Sequence, residues 1–315
     1  MHKLFCLFLF LSAAAFGQVQ PDKLLANISN VKTARHITIP GTRLFIVPPA
    51  GFQPATTFNG LQKGEGAMIM VMDLVGGNFY TNAATFSRKA FEQKGIKVLD
   101  FQENKVNGFP AKCLVAQDGQ GNREYMLVFG DTTFSTMVTV ACADRDEGTI
   151  KELVHALNSI GYSKSKKVDP FETARFSLSD KTARFRFSKY AANIYLYAPG
   201  GVDNMDDKDG PKMMVSQLPR TDDMNARSVA DMMLASMQQH GLTSPEIKNP
   251  STPAINGYNV YEREVYGQME GRRSLIYYCV VVKGDVAIVI QGIASNNFDQ
   301  NLRDFKKLAY TVRLK

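Results

Sequence analysis

Beyond its first seventeen residues the chain holds three cysteines, Cys113, Cys142 and Cys279, and three histidines, His36, His155 and His240. These are the residue types best suited to nucleophilic or metal chemistry, but a zinc site needs three or four clustered ligands. No two of them stand at ligand spacing, and no Cys-x-x-Cys occurs. Each cysteine falls inside an apolar, strand-like run, where a free thiol packs as a small hydrophobe. Cys113 and Cys142 are expected on the first and third strands of a meander, about 9.6 Å apart, too far for a disulfide, which needs Cα atoms within roughly 7 Å. His155 lies mid-helix, and His240 precedes Gly241, where a cation meets the negative end of a helix dipole.

Other constellations fail on spacing. No Gly-x-Ser-x-Gly elbow is present, and Gly119-Gln120-Gly121 opens no helix, so it reads as a hairpin turn and not a dinucleotide loop. The acidic segment 203–210 resembles a calcium loop, but aligning Gly210 with the loop glycine puts Met205 and Ser216 where carboxylates are required. A solvated loop is the expectation there, with weak calcium binding the alternative. Met205, Met213, Met214, Met224, Met232, Met233, Met237 and Met269 crowd the second half. Thioethers can hold Cu(I), but Met233 and Met237 continue the helical stripe begun by Val229, which favours core packing. Arg272 and Arg273, facing Glu262, Arg263 and Glu264, read as a charged exposed sheet face, either cross-strand pairs or a docking surface for an acidic partner. No catalytic, cofactor-binding or metal-binding residue is assigned.

The elements that carry these residues occur twice. Pro49-Ala50-Gly51-Phe52 aligns with Pro199-Gly200-Gly201-Val202, Asn107-Gly108-Phe109 with Asn256-Gly257-Tyr258, and Gly95 with Gly241, at offsets near 150. Leu157, Ile160 and Tyr162 align with Phe305, Leu308 and Tyr310. A period this long means duplicated domains, not a solenoid. Each copy predicts an opening strand (42–47; 193–197), a Pro/Gly turn and an apolar strand (67–74; 212–218). A helix follows, over Ala83 to Phe91 and over Val229 to Met237, each stopped by glycine. A three-strand meander comes next (111–117, 123–129, 133–142; 258–266, 273–282, 286–294), and an amphipathic helix closes the copy. A short helix is expected over 21–32, and residues 172–191 read as a hairpin about Ser179-Asp180-Lys181 forming an extension. Candidate functional residues do not correspond between copies: Cys113 aligns with Glu262.

This order, with Pro49, Gly51 and Phe52, Asn107 and Gly108, and Ile160-Gly161-Tyr162, resembles the PsbP-like superfamily. The resemblance implies an α+β fold as two tandem domains, each an antiparallel β-sheet flanked by α-helices, and a binding or assembly role instead of catalysis. Met1 to Gly17 has the basic start, apolar run and small-residue end of a signal peptide, giving boundaries of 1–17 signal, 18–163 first domain, 164–171 linker and 172–315 second domain. The apolar run is too short to span a bilayer, so no transmembrane anchor is expected after cleavage. Formal charge is +7, scattered except at Lys164-Ser165-Lys166-Lys167, and the chain lacks tryptophan, which argues against nucleic acid as a partner. The expected function is a periplasmic or secreted non-enzymatic factor with a protein partner in the cell envelope and no cofactor. The alternative is a small-molecule or lipid carrier with an apolar cleft between the domains.

Overall fold

A computed structural model describes residues 23–74, 77–191, 193–201 and 210–315. The signal-like segment and nearly all of the acidic loop 203–210 lie outside the described residues. Two α+β bodies are present, each built on a large sheet whose strands are antiparallel apart from one short addition. In the first, spatial order runs Lys97–Val106, Phe109–Gln117, Asn122–Gly130, Ser135–Ala143, Ala67–Asp73, Gly60–Lys63 and Gln53–Pro54. In the second it runs Thr243–Ser251, Tyr258–Met269, Arg272–Lys283, Val286–Ala294, Lys212–Pro219, Ile194–Pro199 and Phe185–Ala191. The two orders match strand for strand.

Helices cover both faces of each sheet, which is why the central strands read as unbroken apolar runs. Along Arg272–Lys283, Leu275, Tyr277, Cys279 and Val281 join the core under the closing helix Phe298–Ala309. Ile276, Tyr278 and Val280 join the opposite core under the helix Ala226–Gln239. The first body divides likewise, between a core containing Leu153, Val154 and Leu157 of Glu147–Asn158 and a core containing Phe79, Ala83 and Phe86. None of the four cores mixes residues of the two bodies.

Several expectations need correction. Both closing helices are twelve residues long and stand 151 positions apart at each end, so Leu157 matches Leu308 and not Phe305. The apolar stripe repeats every turn, so a slip of one turn preserves the pattern. The Pro/Gly turns are a larger slip. Leu44–Ile46 leaves the main sheet to pair with Gly161–Tyr162, just after the closing helix in sequence; its counterpart is Phe176–Ser177, which pairs with Arg313–Leu314. Segment 172–191 is therefore integral to the second body, and its two strands do not pair with each other: Phe185–Ala191 pairs with Ile194–Pro199. Gly51 and Gly201 share φ of +78° and +77° yet close different turns, so local conformation imitated a shared place in the fold. The helix expected over Ala83 to Phe91 is two short ones, Phe79–Asn82 and Arg88–Glu92, because Ser87 caps the second with its own side chain. Residues 23–32 contain no helix; Asn27–Ile28 adds to the sheet edge in parallel with Lys105–Val106, held by Lys105 N–H to the Ala26 carbonyl.

Candidate functional site

Two places concentrate side chains that could act. The first is a groove of about 1090 Å³ between the bodies. One wall comes from the first body: Phe58, the turn Gly64 to Gly66, and Ala67 and Met68 at the start of a strand. The other wall holds Ile194, Leu218, Pro219, Met224, Met232 and Met233. Arg220 fixes the turn below that wall: its Nε donates to the Met224 carbonyl (2.7 Å) and its Nη1 to that of Gly284 (2.8 Å). Asn225 and Ser228 then form a reciprocal cap that starts the helix Ala226–Gln239. Arg263, only 1% exposed, holds that helix to the sheet through Asp231 (2.5 Å) and the Ala230 carbonyl, immediately before Met232.

Polar contacts clasp the seam beside the groove. Thr173 donates to Asn59 Oδ1 (2.8 Å) and Asn193 Nδ2 reaches Met70 Sδ (3.5 Å), while Tyr190, in the same body as Asn193, donates to its Oδ1 (2.9 Å). Met232 and Ile194 stay 45% and 38% exposed, so the groove is an open trough with apolar walls. Cys142 also borders it, but burial pushes its thiol up to about 11, which keeps it protonated and unlike a thiolate nucleophile.

The second place is a polar cluster under the closing helix of the second body. Glu262 and Glu264 project from one strand face and are 6% and 4% exposed. Glu262 accepts from Tyr277 (2.9 Å), Tyr310 (2.9 Å) and Ser251 (3.0 Å); Glu264 accepts from Asn249 (3.1 Å) and Lys306 (3.2 Å). Lys306 also stands 3.6 Å from Glu262. Burial above all pushes the Tyr277 and Tyr310 hydroxyls well above the ordinary phenol range, and the Glu262 carboxylate adds to it, with Cys279 ahead of it at Tyr277. Every carboxylate oxygen has a partner, so this network binds its own helix and leaves no oxygen free for a ligand.

The residues singled out from sequence are scattered by the fold. The exposed charged face is corrected: Glu262, Arg263 and Glu264 are buried, while Arg272 and Arg273 pair with Met269 and Gln268 at the hairpin end. Arg273 stacks instead over Tyr266 and Phe298. The cysteines are buried free thiols, with strand Asn122–Gly130 between Cys113 and Cys142. His36 contacts the Ser159 carbonyl (3.1 Å), His240 turns back to that of Ser236 (2.8 Å) as the helix cap, and His155 faces solvent. Among the described residues no group of three or more His, Cys, Asp or Glu is placed to hold a metal. Lys164 is engaged by Asp131 (2.6 Å), whose carboxyl it holds down at about 2. Met213 is core, and Met233 and Met237 pack against core, as expected, as does Met224; Met224 and Met233 also line the groove, together with Met232. Sequence reasoning missed that role. Met232 stands three residues from Val229 and Met233 four, so both fall on its stripe and spacing alone did not separate groove from core.

Among the described residues no helix is long and apolar enough to cross a membrane. No protein-family model matches the sequence, and no curated protein matches it. Among solved structures the chain is similar to LpqN, involved in cell envelope biogenesis of Mycobacterium tuberculosis, at 14% identity over 44% of this chain and 83% of that one, TM-score 0.32. It is similar to cyanobacterial PsbP from Synechocystis sp. at 14% identity over 49% and 100%, TM-score 0.30. It is also similar to the T6SS immunity protein TplEi from Pseudomonas aeruginosa at 10% identity over 89% and 97%, TM-score 0.34. The α+β class expected from the sequence is the one observed, with an antiparallel sheet between helices in each body.

Proposed function

We propose that this chain is an exported, non-enzymatic binding protein that holds an apolar segment of a protein partner in the groove between its two bodies. The observation that carries this reading is the trough itself, walled by Met68, Met224, Met232 and Met233 with Ile194 and Leu218. Unbranched thioethers repack around differently shaped side chains at little cost, which suits a peptide surface. The trough is open, whereas sites for small ligands enclose most of the molecule they hold. On this reading Met1 to Gly17 directs export and is then removed, leaving domains at 18–163 and 172–315 joined by 164–171.

A photoreactive side chain in place of Met232, in the native cell, should give one discrete protein adduct that disappears when the same group replaces Val31, which is 85% exposed and does not line the groove. Equal adducts from both positions, or none, would overturn the reading. The groove volume also fits the second reading, a lipid or small-molecule carrier. Mass spectrometry of natively purified protein separates the two, because a carrier retains a small ligand at high occupancy.

A further inference from the structure

The charges around the groove differ in sign from the chain as a whole. Lysine and arginine outnumber aspartate and glutamate by 37 to 30, yet among the described residues the groove lining has Glu65 and Asp285 as carboxylates and Arg220 as its one cation. Arg220 is already committed: its guanidinium donates to the carbonyls of Met224, Gly284 and Asp222. Asp222 and Asp223 follow directly on the lining residue Thr221. The Asp285 carboxylate is 57% exposed and meets Arg175 only at 3.3 Å, a surface pairing that water and salt weaken. The groove is thus a thioether trough with an acidic margin.

We infer that the segment it takes is a basic amphipathic helix, apolar along the face that enters the trough and lysine- or arginine-rich along its flanks. This deepens the groove reading and rests on it. Apolar side chains three and four residues apart form a ridge that a trough of flexible methionines can receive. Cations on either side of that ridge then fall beside Glu65 and Asp285, where opposite charge sets orientation and speeds encounter. An acidic helix with the same apolar ridge would meet like charge at that margin and be rejected.

The test uses the full chain and two labelled peptides of about 18 residues, long enough to hold a helix, one leucine/lysine and one leucine/glutamate with identical apolar faces. Fluorescence anisotropy should show the basic peptide binding at least about tenfold more tightly, with the gap shrinking as salt screens the margin. Glu65→Gln with Asp285→Asn should close the gap, and Met232→Lys, at an exposed position, should weaken both peptides. Equal binding of the two peptides, both lost in Met232→Lys, would overturn the basic occupant while leaving the groove reading intact. Basic-peptide binding indifferent to Met232→Lys would place the contact elsewhere and overturn the inference. Failure of both peptides overturns it as well, and the crosslink from position 232 then decides the groove reading separately.

Discussion

The closing-helix faces of the two sheets have the same architecture and opposite chemistry. In the first body the face carries Cys113, Val115 and Tyr125 in an apolar core. At the corresponding positions the second body has Glu262, Glu264 and Tyr277, with Lys306 on the helix where the first has His155. The opposite face differs too: Leu114 is core in the first body, whereas Arg263 in the second is sandwiched near Tyr261 and Tyr278 and bonded to the helix above. One sheet plan therefore accepts an apolar or an ionic filling, provided that every buried charge finds a partner. The ionic filling lies in the body that supplies most of the groove's thioethers, and Arg263 fixes the helix that presents them.

The sharpest way to break this comparison is Lys306→Ala. It leaves Glu262 and Glu264 buried side by side with no cation, and breaking a buried pair in this way costs about 3–5 kcal/mol. His155→Ala, at the matching exposed position, should stay within roughly 0.5 kcal/mol. Urea denaturation measures both, and adding Glu264→Gln to the lysine variant should recover part of the loss. A cost for Lys306→Ala as small as that for His155→Ala would show the network to be hydrated, and the contrast between the faces would fail.

That contrast was hidden from the sequence for a physical reason. The triplet Glu262-Arg263-Glu264 reads as solvent-facing, because burial of charge depends on partners at Lys306, Tyr310 and Asp231 that only the fold brings near. The meander strands were legible, because helices on both faces make them apolar throughout. Their outer neighbours, Lys97–Val106 and Thr243–Ser251, were not: edge strands stay polar, and Thr243–Ser251 carries two prolines and two register shifts. The groove was illegible, since it belongs to neither body alone.

Alkaline pH sharpens the same comparison. Burial raises Tyr195 and Tyr278 to about 12 and pushes Tyr190, Tyr197, Tyr277 and Tyr310 upward, all in the second body. In the first body burial raises Tyr125 and Tyr162. A raised folded-state value means that the native state keeps its proton after the unfolded chain has lost it. The resulting stability is complete below the ordinary phenol value of 10.0 and disappears as pH climbs past it. Two units for Tyr195 or Tyr278 correspond to about 2–3 kcal/mol each. The second body should therefore open first between pH 10 and 12, read by tyrosinate absorbance together with hydrogen exchange resolved by segment. Earlier opening of the first body would contradict the assignment.

The smallest effects test what the two bodies share. Asn107-Gly108 and Asn256-Gly257 are left-handed at both residues, with φ of +47° and +83° in one turn and +50° and +83° in the other, the twist a tight two-residue hairpin requires. A Cβ on either glycine would meet nothing within 4 Å, so the penalty for alanine is purely conformational, about 1–2 kcal/mol. Gly108→Ala and Gly257→Ala should cost the same. Asparagine to glycine at the preceding position should not. Asn256 Nδ2 donates to the carbonyls of Tyr310 (2.9 Å) and Val312 (2.8 Å), tying the turn to the end of the closing helix, whereas Asn107 Nδ2 donates to the Asn30 carbonyl alone (3.1 Å). One additional hydrogen bond is worth about 0.5–1.5 kcal/mol net, so Asn256→Gly should exceed Asn107→Gly by that margin in denaturant midpoint. Equal costs at the asparagines would mean that the second turn braces its closing helix no more than the first does.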